Sequence, residues 1–213
     1  MKKGISREVI IKEAVQLVRE RSYWALSLRD VAGRLCVKPA SLYNHVDGIA
    51  DIQISVAEYT ADILAGRLEE AVGGRRDAGA IAVGATAFMD FARDNPELYK
   101  ALIHAPKSDA RRNLEIGKKT FDVFGKIIHG YGIDENNGLH LVRMLRCMMH
   151  GFFELWDNGF MSHGTVGRGE SFRFMIDEFT SVVERYRDIA RAKDGSQETT
   201  PKCKDGKDET GRK

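Results

Sequence analysis

The chain has 213 residues, 43% of them hydrophobic and 30% charged, with a net charge of +2, enough length to bury a sizeable core in one domain or in a small domain joined to a larger one. The longest stretch free of charge, Ala78 to Met89, is too short to span a bilayer, and the opening MKKGISREVI lacks the apolar core of a signal peptide. Cys36, Cys147 and Cys203 are widely spaced and form no C-x-x-C pair, which indicates neither a disulfide framework nor a structural zinc site; a cytoplasmic chain with no membrane, metal or cofactor partner is expected.

Ser6 is placed to cap a first helix whose Ile10, Ala14, Leu17 and Val18 share one face. The stretch SLRDVAGRLCVKPASLYNHV, residues 27 to 46, reads as two short helices and a tight turn. Ser27 followed by Asp30 is a variant of the capping box, and Leu28, Val31, Ala32 and Leu35 fall at i, i+3, i+4 and i+7. The run stops at Cys36-Val37. Pro39 suits the first position of a second helix, which Leu42 and Val46 anchor by their i, i+4 spacing. That leaves Ala40, Ser41, Tyr43, Asn44 and His45 exposed, with Lys38 just ahead. Small residues at the leading end, polar tips and flanking donors are what a helix entering a major groove needs. The same spacing also fits an ordinary helical hairpin with a solvated face.

Charge is distributed unevenly. Residues 1–46 hold nine Lys or Arg against four Asp or Glu, whereas residues 47–193 hold nineteen against twenty-two. The basic excess coincides with the two short helices, as an electrostatic footprint for nucleic acid requires.

A long helix from Gly48 to about Val72 follows, ended by Gly73-Gly74-Arg75-Arg76. Asp77 opens an Ala- and Gly-rich helix with Ile81, Ala85, Phe88 and Ala92 on one face. Asn95-Pro96 starts a short one through Leu98, Tyr99, Leu102 and Ile103. From about Ser108 another carries Leu114, Gly117, Phe121, Phe124 and Ile128 and breaks at the GYG of residues 130–132. Between Asp134 and Asp157 a helix is apolar over most of its girth and must be buried on more than one side; its remaining stripe is Arg143, Arg146, His150 and Glu154. The closing helix repeats Phe172, Met175, Phe179, Val182, Tyr186 and Ile189 at heptad spacing, a seam suited to another helix. No strand alternation appears, so the class is all-α. The tail from Asp194 lacks apolar side chains and is expected to be disordered.

Arg7, Ile10, Ala14, Ser27-Leu28, Val31-Ala32, Val37 and SLYNHV together resemble the amino-terminal DNA-binding domain of the tetracycline-repressor (TetR) family. The resemblance implies that Ser27 and Tyr43 grip phosphates, that Pro39, Ala40, Ser41 and Asn44 read base edges, and that His45 does either. Cys36 stands where the turn of the family usually has glycine, and Gly48 where a basic residue often touches phosphate. FARDNPELYKAL and MMHGFFELWDNG resemble segments of the family's regulatory domains, and the last two helices resemble the hairpin by which its subunits dimerise as a four-helix bundle.

The expected architecture is thus a helix-turn-helix domain over 1–47, a helical regulatory and dimerisation domain over 48–193, and a disordered tail over 194–213. The expected function is a dimeric, ligand-responsive repressor, not an enzyme, on a palindromic duplex operator. The expected ligand pocket lies among Phe88, Tyr99, Phe121, Phe124 and Met148, with Arg146 and His150 as polar contacts. The dimer seam is expected at Phe152, Phe172, Met175, Phe179, Val182 and Tyr186. Alternatives are an activator or regulator that senses no ligand, and an all-helical enzyme or interaction module. Cys147, His150 and Glu154 share a face that suits a metal half-site, but further ligands are missing, and a cysteine in an apolar helix is ordinarily packing.

Overall fold

The computed structural model describes residues 5–197; Lys2, Lys3, Cys203 and the tail beyond 197 lie outside the described residues. Among those described there is no strand. The sequence forms eight α-helices: α1 Arg7–Glu20, α2 Leu28–Arg34, α3 Ile49–Val72, α4 Ala78–Asp94, α5 Pro96–Ile103, α6 Ala110–His129, α7 Glu135–Asp157 and α8 Arg168–Gln197. Side-chain caps fix most starts. Ser6, Ser27, Asp77, Asp109 and Asp134 each accept a backbone N–H from the first turn that follows, satisfying donors that the helix itself cannot. Asn95 does not cap α5; its amide instead donates back to the Phe91 carbonyl at 3.1 Å.

Two departures from the sequence expectations concern boundaries. The closing helix runs on to Gln197, past the expected end at 193. The amino-terminal core also overruns residue 47. Ile10, Ala14, Val18, Tyr23, Val31, Leu42 and Val46 pack in one cluster with Ile52 and Val56 of α3 and Leu98 and Ala101 of α5. Three short helices cannot bury enough apolar surface by themselves, so the head borrows α3 and α5 to close its core. Tyr23 marks the joint: it is buried, its N–H donates to the Glu97 carboxylate at 2.7 Å, and its hydroxyl donates to the His104 carbonyl at 2.9 Å.

The larger core lies between α3, α4, α6, α7 and α8. Close approaches depend on glycine in two places. At Gly84 of α4 an added Cβ would lie 3.0 Å from the Phe124 ring, and at Gly117 of α6 it would lie 2.6 Å from the Arg146 guanidinium.

α8 places part of the expected dimer seam inside the subunit. Phe172, Ile176, Phe179 and Val183, at i, i+4, i+7 and i+11, are buried in this chain's own core, and Met175, Val182 and Tyr186 are half-buried along its edge. Phe152 of α7 is buried with them, its ring 5.3 Å from that of Phe172. Because α8 packs on α4 and α7, Phe172 and Phe179 of the heptad stripe are used within the subunit. What faces solvent on α8 is Phe174, 67% exposed and off that stripe, and Ile189, 47% exposed at the stripe's far end, with Met144 and Leu155 exposed beside Cys147 and Gly151 on α7.

Candidate nucleic-acid interface and ligand cleft

The second helix of the helix-turn-helix is a 3-10 helix, Pro39–Asn44, in place of the expected α-helix. The turn before it is tight. Cys36 has φ 54°, the one non-glycine residue in the left-handed region among those described, while its N–H bonds the Gly33 carbonyl at 3.1 Å and that of Val37 bonds Ala32 at 3.0 Å. Gly48, at φ 108°, is glycine because of its backbone: a basic side chain at that φ would be strained.

Leu42 and Val46 are buried and pin the segment to the head core, whereas Lys38, Pro39, Ala40, Tyr43 and Asn44 face solvent and Ser41 and His45 are half-buried. Tyr43 is 60% exposed with no hydrogen-bonding partner for its hydroxyl among the described residues. Ser27 differs from the others. Its hydroxyl accepts the Asp30 N–H at 3.2 Å and donates to the Asp30 carboxylate, so the group expected on phosphate is already engaged as a helix cap.

Much of the basic excess is likewise spent internally. Arg34 pairs with Glu13 and Glu20, and Arg21 with Asp30. Arg7 grips Asp51 of α3 with both nitrogens, at 2.6 and 2.7 Å, and also donates to Ser55 and the His45 carbonyl. Lys12, Arg19, Arg29 and Lys38 form no ion pair among the described residues.

Arg112, in the first turn of α6, joins the same cluster. It reaches Asp51 at 2.7 Å, Ser55 at 2.8 Å and both oxygens of Glu58 at 2.6 and 2.7 Å. The hydrogen bonds from Arg7, backed by those from Arg112 and the Asp47 N–H, hold the Asp51 carboxyl well below the usual carboxylate range. One carboxylate thus ties α1, α3, α6 and the end of the recognition segment together. Sequence spacing does not reveal this knot, because its members lie 44 and 61 positions apart.

In the larger domain, Phe88, Tyr99, Phe121 and His150 meet ring against ring, with centroids 5.6 to 5.8 Å apart. The Tyr99 hydroxyl is hydrogen-bonded to His150 Nδ1. Burial raises the Tyr99 phenol well above its ordinary value and lowers His150 to about 4, helped in the second case by the Arg146 charge. The phenol therefore keeps its proton and the imidazole is neutral near pH 7, with Tyr99 donating and Nε2 carrying the ring proton. This engagement also removes the metal half-site, and no group of three metal-ligating side chains occurs among the described residues.

These aromatics are packed solid, so the expected pocket among them is displaced. Phe124 is buried against Gly84, and Met148, two residues from both Arg146 and His150 on α7, points away from them and lines neither cavity. Open space begins on the other side of Arg146 and His150. One cleft of about 360 Å³ is walled by Leu102 and Ile103 of α5, Ile116, Gly117 and Thr120 of α6, and Arg146 and His150 of α7, with Lys107 at its edge. A second cavity of about 650 Å³ runs between α6 and α7 past Phe121, Leu139 and Val142. Arg146 belongs to both walls; its guanidinium lies 5.1 Å over the Phe121 ring, in the notch that Gly117 leaves.

Residues 81–179, which hold this cleft, match the family described as "Tetracyclin repressor-like, C-terminal domain". The chain is 27% identical over 151 residues to the uncharacterised helix-turn-helix-type transcriptional regulator YobS of Bacillus subtilis (strain 168), covering 70% of this chain and 78% of that protein. It is 26% identical over 183 residues to the uncharacterised helix-turn-helix-type transcriptional regulator Rv0681 of Mycobacterium tuberculosis (strain ATCC 25618 / H37Rv), covering 85% and 83%. Its fold is similar to that of the TetR-family transcriptional regulator PfmR from Thermus thermophilus, at a TM-score of 0.57 and 19% identity over 81% of this chain and 97% of that one. Exposed polar residues on a pinned recognition segment, a helical carboxy-terminal half that matches the tetracyclin repressor-like domain and these likenesses together support a helix-turn-helix transcriptional regulator of the TetR type.

Proposed function

We propose that the protein acts as a homodimeric repressor that binds a palindromic duplex operator and lets go of it when a small molecule enters the cleft beside Arg146. The observation that carries this reading is the recognition segment. Pro39, Ala40, Tyr43 and Asn44 are solvent-facing while Leu42 and Val46 hold the backbone rigidly, which is how an element reads a groove without losing its shape. Lys38 and Tyr43 suit phosphate, and Ser41 and Asn44 suit base edges. Ser27 acts chiefly by holding α2 in place, and His45 lies at the end of the segment where Arg7 fixes its carbonyl.

A single head offers few contacts. Two-fold pairing supplies a second recognition segment about 34 Å away, one helical turn along the duplex. The dimer surface that fits is the outward stripe of α7 and α8, where Met144, Leu155, Phe174 and Ile189 leave apolar area on solvent and Gly151 leaves room for close approach.

The switch follows from α6. Asn113, Ile116 and Gly117 line the cleft, and Arg112, one residue before them, holds Asp51 and Glu58 of α3. A ligand that prefers a wider separation of α6 and α7 moves Arg112, and with it the Asp51 knot and the heads. Affinity without such a preference shifts nothing. Selecting bound sequences from random duplex DNA tests the reading: an inverted repeat is expected, and recovery of no preferred sequence overturns it.

A further inference from the structure

We infer that the effector accepted by the cleft is a small organic carboxylate with an apolar tail, its anionic end held by Arg146. The inference rests on the reading of this cleft as the effector site and adds the chemistry of the ligand.

Arg146 is unlike the other sheltered arginines of the chain. Arg34, Arg112 and Arg187, with side chains 23 to 31% exposed, all pair with carboxylates. Arg146 is half-buried on α7, yet it has no carboxylate within ion-pair distance among the described residues, and its guanidinium lies over the Phe121 ring, 5.1 Å from the centroid. A guanidinium carries five N–H donors in a planar fork and stays charged in proteins. Shielding it without an acceptor is costly, and burial indeed pulls it below its ordinary value. Room for it is built in: only glycine at 117 admits the guanidinium where it lies.

The walls settle the sign and shape of what fits. The cleft of about 360 Å³ has Arg146 and Lys107 on its surface and no aspartate or glutamate. The neighbouring cavity, by contrast, sets Glu115, Asp122, Asp134 and Glu135 against Lys118, Arg143 and the shared Arg146, so the first wall offers an anion uncompensated positive charge and the second does not. Leu102, Ile103 and Ile116 make the rest of the cleft aliphatic. His150 adds no charge near pH 7, but its Nε2–H is a further donor at the same wall. A carboxylate matches the fork of a guanidinium with two parallel hydrogen bonds, and an aliphatic tail matches the rest.

The test is calorimetric titration of the full-length protein with octanoate, octan-1-ol and octylamine, which share a tail and differ in charge. Octanoate is expected to bind about tenfold or more tightly than octan-1-ol, the worth of one charge-assisted hydrogen bond, with octylamine weakest. Arg146→Gln should bring octanoate down to the level of the alcohol. Gly117→Ala, which keeps the charge but crowds the guanidinium out of its notch, should reduce the preference as well; melting curves check that both variants are folded. Octan-1-ol or octylamine binding as tightly as octanoate, or a preference for octanoate that survives Arg146→Gln, overturns the inference. If octan-1-ol binds equally well and still releases operator, the effector reading stands and only the carboxylate falls; binding by none of the three overturns both.

Discussion

The recognition segment and α8 both carry apolar residues at helical spacing, yet in the first that spacing separates a buried side from a solvent-facing one and in the second it leads into the subunit's own core. In Pro39–Asn44 few residues are apolar. Leu42 and Val46 must go inward, so whatever remains is outside. In α8 and α7 apolar residues lie on several faces, and the most regular stripe is free to serve a second subunit or this one. Packing decides between them: Phe172, Ile176, Phe179 and Val183 complete the subunit's own core, leaving Phe174 and Ile189 outside. A stripe with one apolar face declares its direction; a helix with two does not.

The sharpest way to break this comparison is to charge the two faces of α8 separately. Phe179→Asp places an unpaired carboxylate in a fully buried site and should cost several kcal/mol, enough to unfold a marginal domain. Phe174→Asp, on the exposed face, should leave helicity and melting of the subunit nearly intact while converting dimer to monomer in sedimentation. If Phe179→Asp gives a folded monomer and Phe174→Asp a normal dimer, the assignment of faces is reversed.

A second test uses the cleft wall, where burial holds His150 at about 4 against an ordinary 6.5. The unfolded chain takes up a proton on this ring below pH 6.5, which the folded chain refuses until about pH 4. Stability should therefore be whole above that window and fall as pH drops through it, by about 3 kcal/mol at most from this group. Denaturant melts across the window, compared with His150→Gln, give the difference in slope; identical slopes for the two proteins would show that the ring is not held neutral by the fold.

How much of this is legible in the sequence follows from where each feature is encoded. Helix starts at Ser6, Ser27, Asp77 and Asp134 can be read directly, because a cap acts within three residues of itself. The aromatic cluster of Phe88, Tyr99, Phe121 and His150 is also legible, since apolar faces of consecutive helices must meet. That it packs shut, with open space beyond Arg146, is not: one glycine, Gly117, decides where the guanidinium lies, and nothing local marks it. The Arg7–Asp51–Arg112 knot is hidden for the same reason, as is the borrowing of Leu98 and Ala101 by the head core. Short-range physics is written in the spacing of residues, and long-range pairing is written only in the fold.

On the recognition segment, where the spacing does speak, Tyr43→Phe should weaken binding by about 1 to 2 kcal/mol per half-site, the worth of a hydrogen bond to a charged acceptor. The loss should be similar for all duplex sequences, whereas changes at Ser41 or Asn44 should alter preference at particular bases. Equal operator affinity for wild type and Tyr43→Phe would remove the phenol from the phosphate contacts.

The smallest expected effect lies in the turn between α2 and that segment. Cys36 has φ 54°, a conformation that costs an L-residue about 1 to 2 kcal/mol. Glycine removes this strain but returns about 0.5 to 1 kcal/mol through the greater freedom of the unfolded chain. The Cys36 side chain is exposed, so little packing is lost. Cys36→Gly should then stabilise the protein by up to about 1 kcal/mol, or about 2 to 4 °C in melting temperature for a chain of this size, with the turn hydrogen bonds to Gly33 and Ala32 kept and the operator sequence selected unchanged. A lower melting temperature in Cys36→Gly would mean that the cysteine side chain contributes more than its backbone costs, and that the turn is held by a contact of the thiol in addition to its hydrogen bonds.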